Sequence, residues 1–265
     1  PIKLTGVETT TSIYSKLRGT TGSTPNTTGY REPDLIVGNG SEYDALVSYQ
    51  TILGASSTKD MADKMVAEYV EIHDSIEQYG GFYIGRYELT GTIGTPTVEK
   101  GGTVITQQNW YNLKKACMSL VDNSEKEVNE ITAKTTMLYG NQWDEVVAWL
   151  ASKGYNTEDS STWGNHKNYN DSVTADKQVE GAGTKVFEAG ASENWKANNI
   201  YDFAGNAYDW TQETNTADYR VHRGGSYNNS GSGSSASRRS GSFPSFDSYP
   251  TTSTSPTIYI SSTEQ

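Results

Sequence analysis

The sequence predicts an α+β fold of short strands, few helices, many turns and aromatic packing. Three observations lead there. Apolar residues recur at helical spacing in only three stretches, the strand-like run is brief and bounded by glycines, and long segments rich in Ser, Thr, Gly and Asn separate them. Of 265 residues only 34% are hydrophobic, so 18 Tyr and 6 Trp, each with a polar tip, supply much of the packing area. A chain of this length can bury a sizeable core as one large domain or one domain with an extension.

Residues 1–45 show little periodicity and read as an extended arm. A helix is expected from Thr58 to Gln78, where Met61, Met65, Tyr69, Ile72 and Ile76 recur every three or four residues. Ser57 and Asp60 suggest a capping box at its start, and Tyr79-Gly80-Gly81 ends it. Phe82 to Thr90 reads as one strand. The next helix begins at Trp110, with Trp110, Leu113, Cys117, Leu120 and Val121 on one face. A third is expected from Gln142 to Lys153, with Trp143, Val146, Val147 and Leu150 inward, Asn141 as N-cap and Gly154 as its stop. Residues 154–198 are polar and loop-like. The organisation expected is an arm and amphipathic helix over 1–78, packed on the core because the Met61 to Ile76 stripe needs a partner surface, and a second unit over 79–265.

A formal net charge of −11 argues against a phosphate-tracking surface, so no nucleic acid is expected as partner. No run of 18 apolar residues exists, so no transmembrane segment is expected. The chain begins at Pro1 rather than Met, which leaves room for a leader or anchor removed before it. Cys117 is the only cysteine, which excludes an internal disulfide and a Cys-based zinc site and reads as a buried, inert thiol.

Two dense segments stand near the C-terminal end. One runs from Tyr201 through Asp202, Gly205 and Asn206 to Trp210, and the other is Arg223-Gly224-Gly225-Ser226-Tyr227. In that order, with Phe82 to Thr90 and Asn141-Gln142-Trp143-Asp144 before them, they resemble the formylglycine-generating-enzyme (sulfatase-modifying factor) family over about residues 79–260. The resemblance implies an α+β, C-type-lectin-type fold, with short mixed sheets, two or more helices and much irregular loop. It does not carry the family's chemistry across. Those enzymes bind copper through a pair of cysteines near the C-terminal end, where this chain has Ser237, Arg238, Arg239 and Ser240. A serine hydroxyl replaces neither the thiolate nucleophile nor the soft copper ligand, so the chain is not expected to be an enzyme and no cofactor is called for. An oxidase of this type, or an enzyme derived from one, is the disfavoured alternative; a surface protein whose tail only packs is another.

Gln78 to Glu88 and Asn198 to Asn206 are similar to stretches of lectin-fold proteins of gut Firmicutes and their phages, some of which are the variable proteins of diversity-generating retroelements. Adenine mutagenesis of Asn codons ending in a pyrimidine cannot produce Lys, Gln, Glu, Met or Trp. Those five types account for 48 of the first 213 residues and for none of the 50 from Thr214 to Thr263. At the same frequency about eleven would be expected there. A plain Ser/Gly loop would also avoid them, but this segment still contains Arg, His, Phe, Tyr, Asp, Ile and Val. The reading favoured is therefore a ligand-binding protein with a candidate variable region over about 214–260, displayed outside the cell on a cell surface or virion, whose partner is a protein or glycan on another surface. Arg223, Gly224, Gly225, Ala236, Ser237 and Arg239 fit the family's scaffold positions. The expected contact residues are Tyr227, Asn228, Asn229, Ser232, Ser234, Arg238, Ser240, Ser242, Phe243, Phe246, Asp247 and Tyr249, a palette like that of antibody loops. Where relatives read Gly-Ser-Arg-Pro-x-Leu-Tyr, this chain has Ser253 to Tyr259 without that Gly and Arg, which leaves open how its closing strand is anchored.

Other motifs read as structural. His73, His166 and His222 share no metal-ligand spacing. Asp202, Asn206 and Asp209 have the oxygen donors of a calcium site, but hydrogen bonding to backbone is the favoured role, and no metal is expected. Glu32-Pro33-Asp34 mimics a sugar-binding signature by chance, and Glu125, Glu127 and Glu130 read as a solvated face. No Ser-His-Asp or Gly-x-Ser-x-Gly arrangement stands out, and Gly224-Gly225 lacks the Lys and helix of a phosphate loop.

Overall fold

A computed structural model describes residues 2–5, 20–21, 24–25, 51–121, 131–214, 219–245 and 249–262. Phe246, Asp247, Glu32-Pro33-Asp34 and the carboxylates Glu125, Glu127 and Glu130 lie outside the described residues. Within them the fold is α+β, with two four-stranded sheets, smaller two-stranded ones and four helices.

Helix α1 runs Thr58–Tyr79. The Ser57 side chain accepts from the Asp60 amide, 3.1 Å away. The reciprocal half of the expected capping box is missing, because the Asp60 carboxylate instead accepts from the Ser56 amide and hydroxyl at 2.7 and 3.0 Å. Gly80, at φ 70°, ends the helix by donating its amide to the Ile76 carbonyl. All five residues of the predicted stripe are buried. Met61 and Met65 enter a core with Trp110, Leu113 and Cys117, while Tyr69, Ile72 and Ile76 enter another with Phe82, Trp143 and Leu150. Each such burial is worth about 1.5–3 kcal/mol, so α1 is held by tertiary packing rather than by its own propensity.

The predicted strand over Phe82 to Thr90 is broken. Strand β4, Gly81–Ile84, stops where the Gly85 amide turns to donate to the Pro256 carbonyl, and the chain resumes as β5, Thr90–Thr92, paired with β6, Thr95–Thr97. The break drops Glu88 into the interior. Helix α2, Trp110–Met118, is capped by the Asn109 side chain accepting from the Asn112 amide. It buries Trp110, Leu113 and Cys117, but Leu120 and Val121 fall beyond its end and are half-buried. Burial pushes the Cys117 thiol pKa up, as expected of an inert thiol.

Helix α3 spans Gly140–Ser152, starting two residues earlier than predicted. Tyr139, not Asn141, is the N-cap residue. Its amide donates to Gln142 Oε1 at 3.0 Å, and Asn141, inside the first turn, accepts from the Gln142 amide. Trp143, Val146 and Leu150 are buried as expected, with Val147 partly so. The segment expected to be loop is largely that, with one short helix α4, Tyr169–Ser172, and the short strand pair β8, Lys196–Ala197, and β9, Ile200–Tyr201. It still drives Trp163, Tyr169 and Trp195 into the interior.

The first large sheet has the order β1 (Ile2–Thr5), β4, β14 (Pro256–Ser262), β7 (Ile131–Met137), antiparallel throughout. The second has the order β12 (Arg239–Ser242), β11 (Arg220–Arg223), β10 (Tyr208–Thr214), β13 (Thr252–Ser253), with only the β10–β13 pair parallel. Hydroxyls anchor the closing strand in place of the absent Gly and Arg. Thr254 Oγ1 donates to the Trp210 carbonyl, Ser255 Oγ to Asp209, and Thr257 Oγ1 to the Tyr83 carbonyl while accepting from Gln142. No helix of the described residues is long and apolar enough to cross a membrane.

Candidate binding face

Strands β11 and β12 pair with Arg223 opposite Arg239 and His222 opposite Ser240. Arg223 Nη2 lies 2.9 Å from Asp144 Oδ1, and its Nη1 lies 3.4 Å from Glu213 Oε2. Arg239 Nε lies 2.7 Å from Glu213 Oε1, and its Nη2 also reaches Asp144. Two cations thus meet two anions beneath the tail. Burial pushes the Glu213 carboxyl above its usual range, against the pull of Arg239 and Arg223. Such a cluster is stable only while complete, since removing one member strands the others' charge away from water. Trp143 closes it from below, with the Arg223 guanidinium 5.7 Å from its ring and its own indole N–H donating to the Ala236 carbonyl.

Between the two strands, residues 224–238 lean on the loop 157–168. The Ser160 amide donates to the Gly231 carbonyl, the Lys167 amide to the Asn229 carbonyl and the Ser237 amide to the Thr157 carbonyl, at 2.9–3.1 Å. Asn168 Oδ1 accepts from the Gly231 amide. Gly231 has to be glycine here, because a Cβ would lie 2.3 Å from the Ser161 nitrogen. His166, fully buried, contacts Ser160 Oγ at 2.9 Å, and burial lowers its pKa to about 4.

Ten of the twelve expected contact residues are described, and none is buried. Asn228, Ser232, Arg238 and Tyr249 are exposed, Tyr249 at 43%. Tyr227, Asn229, Ser234, Ser240, Ser242 and Phe243 are half-buried, the last packed edge-on against Tyr219. Interleaved with them, Arg223, Gly224, Gly225, Ala236, Ser237 and Arg239, the expected scaffold positions, are all buried. The Asn228 and Asn229 side chains both accept from the Ser226 hydroxyl at 2.7 Å, so even exposed residues of the loop are held at their base.

Two groups of residues escaped the sequence reading. Tyr208 and Trp210 pack against His222 beneath the face, tilted and edge-on respectively, with ring centroids 4.4 and 5.1 Å from the imidazole. The Tyr208 hydroxyl donates to Ser234 Oγ at 3.3 Å. Period-two spacing of Tyr208 and Trp210 on one strand was the available signal. The bracing loop 157–168 had none, since its polar sequence resembles any solvated loop.

A second buried charge site lies under the Asp202 loop. Glu88 accepts from Asn206 Nδ2 and the Ala207 amide, Asp202 from the Gly190 amide, and Asp209 from Ser255. No cation shares it among the described residues, and burial raises all three carboxyls, Asp202 to about 7. The hydrogen bonds give Asp202, Asn206 and Asp209 a structural role. No group of three or more His, Cys, Asp or Glu among the described residues is placed to hold a metal ion. The three histidines are separate: His73 on α1, His166 in the bracing loop, and His222 on β11, whose Nδ1 is enclosed. Two clefts, of about 490 and 840 Å³, are lined respectively by residues such as Tyr87, Val98 and Ile258 and by residues such as Lys64, Glu71 and Lys134. Neither is lined by an expected contact residue.

No family model and no curated protein matches the chain. Among solved structures it is similar to Treponema denticola variable protein 1, at 15% identity over 74% of this chain and 68% of that one, with a TM-score of 0.34. At that identity and TM-score the likeness carries no functional weight.

Proposed function

We propose that this chain is a ligand-binding protein that presents a sequence-variable surface on a C-type-lectin-type scaffold, as the target protein of a diversity-generating retroelement. The observation that carries the reading is the interleaving within the tail. The residues expected to stay fixed are buried and bonded, the described residues expected to vary are exposed or half-buried, and the whole stretch from Thr214 to Thr263 lacks the five residue types that adenine mutagenesis of Asn codons cannot reach. Its mechanism is recognition rather than catalysis. Tyr supplies contact area at low entropic cost, and Ser, Gly and Asn adapt their hydrogen bonds to the partner. A face that exposes Asn228, Ser232, Arg238 and Tyr249 suits the surface of a protein or glycan. Its place is on a cell surface or virion.

Sequencing the gene's neighbourhood tests the proposal. The expected result is a reverse transcriptase beside a near-copy of the tail's coding sequence that differs from it only at adenines. A neighbourhood with neither, together with an invariant tail across isolates, overturns it.

A further inference from the structure

Three buried side chains and one half-buried carboxylate, from four elements, converge where the two large sheets meet. Glu68 comes from α1, Lys114 from α2, Thr136 from β7 and Gln212 from β10. Thr136 and Gln212 are fully buried and Lys114 is 2% exposed. The Thr136 hydroxyl donates to Glu68 Oε1 at 3.0 Å. Lys114 Nζ lies 2.8 and 3.1 Å from the two Glu68 oxygens and 3.0 Å from Thr136 Oγ1. The Gln212 amide nitrogen lies 3.4 Å from the same Thr136 Oγ1, held there by Glu68 Oε1 at 3.0 Å and the Met137 carbonyl at 2.8 Å. Tyr139 OH completes the set, 2.8 Å from Glu68 Oε1.

This set brings together a hydroxyl nucleophile on a carboxylate base, a carboxamide beside that hydroxyl, and an ammonium beside the hydroxyl and the carboxylate, the nucleophile, base and acid of an acyl transfer. Gln212 Oε1 is buried without a hydrogen-bond partner. An ester carbonyl, a weaker acceptor than an amide carbonyl, tolerates that position better.

We propose that Thr136 and Gln212 join spontaneously through an intramolecular ester that ties the two sheets together. In the step, Glu68 takes the hydroxyl proton as Thr136 Oγ1 bonds to Gln212 Cδ. The Cδ–Nε2 bond then breaks, and the leaving nitrogen takes a proton from Lys114 and departs as ammonia. The proton on Glu68 passes to Lys114, restoring both. One hydroxyl and one carboxamide give one ester and one ammonia, and nothing is oxidised or reduced. The dry surroundings that strengthen these contacts also protect the ester from hydrolysis. Burial lowers the Lys114 pKa, against the pull of Glu68, so its proton is available for transfer. The bond links residues 76 apart and fastens β10, the neighbour of β11, to the sheet that holds β7.

Intact mass spectrometry of the full chain tests this. The expected mass lies about 17 Da, one ammonia, below that of the sequence. A digest is expected to contain one joined peptide carrying residues 136 and 212 that hydroxylamine splits. Thr136→Val is expected to restore the full mass and Thr136→Ser to keep the loss. A wild-type chain at its full sequence mass overturns the proposal whether or not any variant folds. Persistence of the loss in Thr136→Val also overturns it, since the acyl group would then sit elsewhere, on Lys114.

Discussion

The buried and exposed parts of the tail differ less in residue type than in what surrounds them. Arg239 is 3% exposed and bonded to Glu213 and Asp144, while its neighbour Arg238 faces solvent. Ser226, Ser235 and Ser237 are buried, whereas Ser232 is exposed and Ser240 half-exposed. One short stretch therefore both anchors and displays, with the two tasks divided between adjacent residues. The lesson is that a surface can change its side chains without changing its shape when the fixed residues carry the shape alone.

Arg239→Ala strikes the anchoring side hardest. It leaves Glu213 and Asp144 with Arg223 as their one remaining partner in the cluster, and a loss of about 3–5 kcal/mol is expected in urea unfolding. A loss below about 1 kcal/mol would place Arg239 among the display residues instead.

Acid separates the bracing loop from the carboxylate site. His166 has a folded pKa of about 4 against 6.5 unfolded, so its contribution is complete above 6.5 and is lost as the pH falls toward 4. The shift corresponds to roughly 3 kcal/mol at most. His73 and His222, also lowered to about 4 by burial, share that limb of a stability-against-pH curve, so His166→Gln is expected to make it shallower without removing it. Asp202 has the opposite sign. Its folded pKa of about 7 lies above its usual 3.8, so its neutral form is favoured on folding and stability falls as the pH rises through that interval. Asp202→Asn is expected to make this second limb shallower, with Glu88 and Asp209 keeping part of it, while leaving the first intact. If both variants flatten the same limb, the two sites are not independent.

Gly231→Ala forces a methyl against the Ser161 nitrogen, and a loss of about 1–3 kcal/mol is expected. Faster amide exchange confined to 157–168 and 226–234 would mark the contact as local. The display side is expected to respond least. Asn228→Ala, Ser232→Ala and Arg238→Ala should each stay within about 0.5 kcal/mol of the parent in stability. A larger loss for most of them would make the face part of the core.

Much of this was legible in the chain. The Met61 to Ile76 stripe, the Ser57 cap and the Gly80 stop placed α1 to within a residue, because each depends on neighbours within a few positions. The family resemblance, rather than spacing or composition, marked Arg223, Gly224, Gly225 and Arg239 as scaffold. The split of the Phe82 to Thr90 run was not legible, since it depends on Pro256, far along the chain. Nor was the bracing by 157–168, whose hydrogen bonds are mostly backbone to backbone and leave no residue signature.

The sequence by itself determined the three longer helices, the start and stop of α1, the aromatic character of the core, and the tail's missing residue types. These follow from periodicity and composition, which act locally. Only the tertiary structure decided which groups hold the buried arginines and serines in place. The partners that bury Arg239 stand 26 and 95 residues away, and whether a charge is held or displayed depends on what the fold brings beside it.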